Sequence, residues 1–251
     1  MNEEQHDWWR DFFTGPAADV VRQLATAEQT SAECEFLIRT LGLEPGERIL
    51  DVPCGDGRLS LELARRGYIS EGVDFATELL NDARTTAAQE NLPAEFHQQD
   101  MRSFHCDNLF AAAFCFGNSF GYFEDAGNRA FLESVFRALR PGALFILESR
   151  LVAESLYPQF QPRRWFPFSD SIMFIDSQLD CASGTLRTEY SFLRDGILDR
   201  RRAQFRIHTL RELIELAEVA GLELVDSFGS TDGKSFSLGS PGAYLVLRRP
   251  G

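Results

Sequence analysis

Lysine is nearly missing from this chain: Lys234 is the sole one in 251 residues, and 25 basic side chains stand against 38 acidic ones, for a formal net charge of −13. Proteins that grip phosphates carry a basic footprint, so neither nucleic acid nor an anionic membrane surface is an expected partner. Histidine is scarce as well, with four residues and no two at a metal-ligand spacing, so no metal is expected. No window approaches the roughly 18 apolar residues of a membrane span. The first residues, Met1 to Asp7, show neither the basic start nor the apolar stretch of an export leader. The five cysteines are odd in number and include no C-x-x-C pair, which fits reduced thiols and a cytoplasmic setting.

What the chain does have is apolar content, 44%, enough for a substantial core, and a repeating order of elements. Residues 48–52 read as a strand, 59–66 as a helix, 68–73 as a strand, 77–91 as a helix, 95–99 as a short strand, 109–116 as a fully apolar strand, 125–139 as a helix and 143–148 as a strand. Such alternation marks a parallel, doubly wound sheet, whose buried strands are apolar on both faces. The regime changes over residues 150–208, where prolines punctuate an aromatic stretch and short strand patterns meet at Asp195-Gly196, a hairpin signal. An inserted antiparallel flap is expected there. Thr209 and Glu212 have capping-box spacing ahead of a helix, and two last strands flank a Gly/Ser-rich loop, so the final strand is expected to run antiparallel. Three regions follow: an N-terminal helical lid (1–45), an α/β domain (46–149 and 209–251) and the flap (150–208). Trp8, Trp9, Phe12 and Phe13 give the lid its aromatic face.

Ligands of open parallel sheets lie outside the carboxyl ends of the strands. The strand ends here carry Asp51, Asp74, Asp100-Met101, Phe116-Gly117 and Glu148. After the first strand, Gly55 and Gly57 allow bare backbone to approach a ligand at a helix N-terminus. Ser60 stands where a dinucleotide fingerprint has its third glycine, and Asp51 and Asp56 would set like charge against a diphosphate. Asp74, 17 residues after Gly57, is near the roughly 20-residue offset of a ribose-binding carboxylate. A cationic or zwitterionic nucleoside suits this edge better than a dinucleotide.

Asp51-x-Pro-x-Gly-x-Gly57, with Asp74 ending the second strand and Asp100-Met101 following the third, resembles the class I S-adenosylmethionine-dependent methyltransferases from about residue 30 onward. The resemblance implies a Rossmann-like, mostly parallel seven-stranded sheet with an antiparallel last strand. It implies S-adenosyl-L-methionine as cofactor, with the Asp51, Pro53, Gly55 and Gly57 turn at its methionine part. Asp74 and the adjoining Phe75 would serve the ribose side, Asp100 and Met101 the adenine, and Phe116 and Gly117 the sulfonium. Pro53 departs from the usual glycine and removes one N–H donor. A non-catalytic nucleoside-binding protein and a nicotinamide-dependent oxidoreductase are the rival readings.

The motif Phe116-Gly-Asn-Ser-Phe-Gly-Tyr122 lacks the Asn/Asp-Pro-Pro-aromatic signature of nucleic-acid amino methylation. The resemblance therefore implies a small-molecule acceptor, methylated on nitrogen or oxygen. Candidate acceptor residues are Phe13, Asn118, Tyr122, Arg150 and Trp165, the last two within a basic-aromatic cluster that includes Tyr157, Arg163, Arg164 and Phe166. Candidate bases are His105, Glu148 and His208. Whether the chain is a monomer or a homodimer is left open.

Overall fold

The computed structural model describes residues 7–251; the first six residues of the expected lid lie outside the described part. Three helices open the chain, α1 (Trp9–Phe12), α2 (Gly15–Val21) and α3 (Ala27–Leu41). They are separate because Pro16 can occupy only the first turn of a helix, and because Thr26 and Gln29 form a reciprocal capping box that starts α3 afresh.

The alternating region then gives β1 (Arg48–Asp51), α4 (Arg58–Arg65), β2 (Ile69–Asp74), α5 (Thr77–Glu90), β3 (Ala94–Gln98), β4 (Phe110–Cys115), α6 (Asp125–Ala138) and β5 (Leu139–Ser149). After β5 come α7 (Ala153–Leu156), the flap strands β6 (Arg163–Pro167), β7 (Ile172–Asp180), β8 (Thr185–Arg194) and β9 (Ile197–Arg206), then α8 (Leu210–Val219), β10 (Glu223–Phe228) and β11 (Ala243–Arg248).

Seven strands pair in the order β10-β11-β5-β4-β1-β2-β3. β1 to β5 run parallel, while β11 is antiparallel to both β5 and β10. The order reverses at β1, which lies between β2 and β4, so their carboxyl ends frame the crevice. β4 sits mid-sheet and is apolar on both faces: Phe110 and Ala113 join one core cluster, Ala112 and Phe114 the other. The second cluster also takes Phe36, Leu37 and Leu41 of α3. Within residues 1–45, α3 therefore packs as a layer of the α/β domain, and only α1 and α2 reach toward the flap.

The flap is a four-stranded antiparallel sheet, β6-β7-β8-β9, with a two-residue turn at Asp195-Gly196 pairing Arg194 to Ile197. Two local expectations change. β5 begins at Leu139 and runs through Pro141-Gly142, because a register irregularity between Phe110 and Ala112 absorbs the proline. The aromatic stretch before residue 168 contains an edge strand, β6, whose pattern prolines had obscured.

The flap is seated on the α/β domain at Gly121. Its φ is +95°, a Cβ there would lie 2.6 Å from the carbonyl oxygen of Arg206, and the Arg206 N–H donates to the Gly121 carbonyl at 2.8 Å. Gly121→Ala is expected to cost about 2–4 kcal/mol of stability, from the positive φ and the displaced β9 backbone, as measured by denaturant unfolding.

Candidate active site

Strand β1 delivers Asp51 to the sheet edge, and the chain then turns through residues 52–57 into α4. Leu61 N–H donates to Gly57 O at 2.8 Å and Gly57 N–H to Cys54 O at 3.0 Å. A side chain at Gly57 would meet Phe96 at 2.7 Å and Ala83 at 2.9 Å, while one at Gly55 would meet nothing within 4 Å. The turn is therefore pressed onto α5 and β3 at Gly57 and open at Gly55, where a ligand can approach bare backbone. Pro53 follows Asp51 by two residues, on the same turn.

Three carboxylates ring this turn. Asp51 is 2% exposed and accepts from the Ser60 hydroxyl at 2.7 Å. Burial pushes it up to about 8, against the opposing pull of Ser60 and Arg58 and with further push from Asp74 and Asp56. Asp74 accepts from the Gly55 N–H at 2.7 Å and the Ala76 N–H at 2.8 Å. Burial still raises it, as it raises Asp56. Arg58, the nearest cation, is drawn toward Glu33 on α3, 2.5 Å away. A cationic ligand would relieve this repulsion and a diphosphate would worsen it. The donor set therefore fits S-adenosyl-L-methionine, a sulfonium zwitterion.

The far side of the edge is aromatic. Phe75 and Met101 pack in one cluster with Val73, Phe104 and Trp9. Trp9 stands edge-on to Phe75 at 4.9 Å and to Phe123 at 5.7 Å, with the guanidinium groups of Arg10 and Arg102 over its ring at 4.6 and 5.3 Å. Burial works against ionisation of Asp100, but hydrogen bonds and charge from Arg102, 2.6 Å away, outweigh it and hold the carboxyl below its ordinary range. Trp9 adds an aromatic wall to the pair expected from the sequence.

At the end of β4, Phe116 is buried, Gly117 is exposed and Asn118 is held at φ +61°. Glu148, 1% exposed, accepts from the Gly117 N–H at 2.7 Å, from the Asn118 N–H at 3.4 Å and from Arg150 Nε at 2.8 Å. Asn118 Oδ1 in turn accepts from the Arg150 N–H at 2.8 Å. Tyr122 lies among Trp8, Phe13 and Phe205, with ring centroids at 4.8, 6.2 and 5.7 Å. Burial pushes its phenol well up, so it stays neutral.

The candidate bases separate. His105 is exposed in the loop after β3, outside this arrangement. His208 is 4% exposed at the junction of flap and α6, with Nε2 3.0 Å from Asp125 Oδ1, and burial together with Arg206 lowers it. Glu148 spends its lone pairs on three donors, so it braces the β4 turn. Arg150 is committed to Glu148, which raises it first by charge. Trp165 is corrected most clearly. It pairs with Phe174 on the outward face and is 64% exposed; its neighbour Arg164, also exposed, pairs with Ile175 on the other face, which lines the cavity below.

Beneath the flap lies a cavity of about 110 Å³ that runs from Asn118 to Arg164 and includes Ser177, Thr188 and Tyr190. Arg164 was part of the expected basic-aromatic cluster; Ser177, Thr188 and Tyr190, on β7 and β8, were not expected, because which face of the flap turns inward depends on strand register. With the register set, period-two alternation places Arg164 with Ile175 and Tyr190, and Ser177 with Thr188. At the turn, Ser60 stands in the third-glycine position; its hydrogen bond to Asp51 was not expected.

Comparison with known proteins agrees with this geometry. A family model described as a methyltransferase domain matches residues 49–142. The chain is similar to glycine/sarcosine N-methyltransferase of Aphanothece halophytica, 26% identical over 225 residues that cover 88% of this chain and 83% of that protein. It spans about half the length of another curated methyltransferase that it matches. Its fold is similar to that of an S-adenosylmethionine-dependent methyltransferase from Clostridium acetobutylicum, with a TM-score of 0.79 and 16% identity over 93% of this chain and 96% of that one. It is also similar to CalS10, an amino pentose methyltransferase from Micromonospora echinaspora whose structure holds S-adenosylmethionine, with a TM-score of 0.69 and 18% identity over 95% and 98% of the two chains.

The raised Asp51 generates a pH prediction. Its folded pKa of about 8 lies above the unfolded value of about 3.9, so between those values the folded state holds a proton that the unfolded state has lost. Stability therefore falls as pH rises through that window. In thermal unfolding of the ligand-free protein, Asp51→Asn should be more stable than wild type at pH 8, gain little near pH 4, and bind S-adenosylmethionine more weakly at pH 8.

Proposed function

We propose that this chain, a member of the class I S-adenosylmethionine-dependent methyltransferases, methylates a nitrogen of a small molecule held between the β4 edge and the flap. One observation carries the choice of nitrogen over oxygen. Among the described residues, each candidate base is either tied to other partners, as Glu148 and His208 are, or exposed elsewhere, as His105 is. A hydroxyl acceptor needs a base to take its proton, whereas an amine that arrives neutral attacks through its own lone pair. The names of the similar proteins, a glycine/sarcosine N-methyltransferase and an amino pentose methyltransferase, support the same choice.

S-adenosylmethionine, when bound, supplies an electrophilic methyl group on its sulfonium. Asp51 and the open backbone at Gly55 would hold its methionine end, Asp74 the ribose, and Phe75, Met101 and Trp9 the adenine. Phe116 and Gly117 would border the methyl. The chain's own contribution to rate is alignment and exclusion of water, which together can lower a barrier by about 7–11 kcal/mol. Trp8, Phe13 and Tyr122 form the dry wall on the lid side, and Glu148 fixes the β4 turn on the other.

No nucleic acid is included in this proposal. The net charge of −13 argues against a polyanionic acceptor. No described helix is long and apolar enough to cross a membrane.

Labelled methyl transfer to a panel of amines, the matching alcohols and a structured RNA tests the reading. Amines should be methylated and alcohols and RNA should not; preferred transfer to alcohol or RNA would overturn it. Glu148→Gln separates brace from base. As a brace, its loss should lower kcat/KM at least tenfold with the acidic limb of the pH–rate profile unmoved; disappearance of that limb would identify Glu148 as the base.

A further inference from the structure

The cofactor edge is crowded with carboxylates, but the cavity under the flap has none. Its lining contains no Asp or Glu and a single cation, Arg164, in a protein where acidic side chains outnumber basic ones 38 to 25. On the outward face of the same sheet, arginines meet acids: Arg163 pairs with Asp176 at 3.1 Å and Arg202 with Glu189 at 3.3 Å. Arg164 differs. Among the described residues no carboxylate lies within ion-pair distance of it, and its guanidinium rests 5.7 Å from the Phe166 ring.

The rest of the lining offers neutral donors. Ser177 and Thr188, both buried, share a hydrogen bond at 3.0 Å. Burial pushes Tyr190 up to about 12, so it keeps its proton. At the opposite end, Asn118 has its Oδ1 turned to the Arg150 N–H, so its amide NH2 is the end left for the cavity. Asn118 follows Gly117 on the β4 turn, so the cavity starts at the edge where a methyl donor would lie and ends at Arg164.

We infer that this cavity takes an amine acceptor that also carries a carboxylate, with the nitrogen toward the β4 edge and the carboxylate on Arg164. The inference rests on the proposed reading of the chain as a small-molecule methyltransferase. One unpartnered guanidinium matches one negative charge, and its planar fork matches a carboxylate. A phosphate monoester would bring a charge of about −1.5 to −2 against that single cation. Arg150, the other arginine near the edge, is neutralised by Glu148. Arg164 is therefore assigned as a specificity residue that recognises the acceptor by its anion.

The test reads binding, not turnover, so its outcome is separate from that of the methyl-transfer panel. Protein loaded with S-adenosylhomocysteine is titrated with glycine, 4-aminobutanoate and 4-aminobenzoate, with the amide of each, and with O-phosphoethanolamine, followed by saturation-transfer NMR. At least one carboxylate should bind about tenfold or more tighter than its amide, the scale of a charge-assisted hydrogen bond. Arg164→Gln should erase that preference while leaving S-adenosylhomocysteine affinity and thermal stability unchanged, and Trp165→Ala, on the outward face, should keep it. The assignment is overturned if no carboxylate binds better than its amide, if Arg164→Gln retains the preference, or if O-phosphoethanolamine binds best.

Discussion

The structure depends on three aspartates gathered at one turn, Asp51 buried and Asp56 and Asp74 half-buried. Asp51, Asp56 and Asp74 surround a turn of a few residues, and each is raised by burial and by its neighbours' charge. Hydrogen bonds from Ser60 and from the Gly55 and Ala76 backbone offset part of this cost. The remainder is strain of electrostatic origin, stored where a positively charged ligand would discharge it. A fold selected only for stability would have placed amides or hydroxyls here. The residues that keep the site dry follow from the same constraint. Trp9 and Phe75 cover one side, and Phe13 packs with Ala18 and Leu79 over the start of α5.

A second ionic device sets the opposite wall. Glu148, next to last in β5, spends its oxygens on the backbone of the β4 turn and on Arg150 at the start of the flap connection. One carboxylate thereby fixes two strand ends and the entry to the insertion. Truncating it would leave the partly buried N–H groups of Gly117 and Asn118 without their acceptor, so its importance to function does not require it to move a proton. The flap and lid are joined to the rest by further charges. Arg194 of β8 reaches Asp19 of α2, and Arg22, capping the end of α2, reaches Glu78 and Asp82 of α5. Trp8 Nε1 donates to the Gln204 carbonyl on β9 at 3.0 Å.

Much of this was legible in the sequence because it rests on local rules. The β–α alternation, the glycine turn, the strand-end aspartates and the Asp195-Gly196 hairpin all declare themselves within a few residues. The antiparallel last strand was expected from the Gly/Ser-rich, helix-free loop before it, and it does pair antiparallel to β10 and β5. What was not legible depends on register across the chain. Arg164 and Trp165 are adjacent and equally plausible as pocket residues until the pairing of β6 with β7 decides which faces inward; a one-residue slip would exchange them. Glu148 looked like a base because a strand-end carboxylate is chemically ambiguous until its hydrogen-bond partners are known, and those come from β4, some thirty residues earlier. The N-terminal aromatics announced burial without showing which of them would face the site.

Charge separates the two halves of the site. Around the glycine turn, carboxyl groups are concentrated and the adjoining cation, Arg58, is drawn to Glu33, while Arg102 pairs with Asp100 on the aromatic side. Under the flap, negative charge is absent and one cation stands without a partner. On the proposed reading, donor and acceptor differ in the same sense: a sulfonium is positive throughout the approach, whereas an amine attacks with a neutral nitrogen and owes its solubility to some other group. A carboxylate supplies that solubility. Reversing the polarity, with the cation at the turn and the carboxylates under the flap, would repel the donor and favour a protonated, unreactive amine. The distribution of fixed charge can therefore select both ligands and the amine's protonation state without assigning a proton transfer to any side chain.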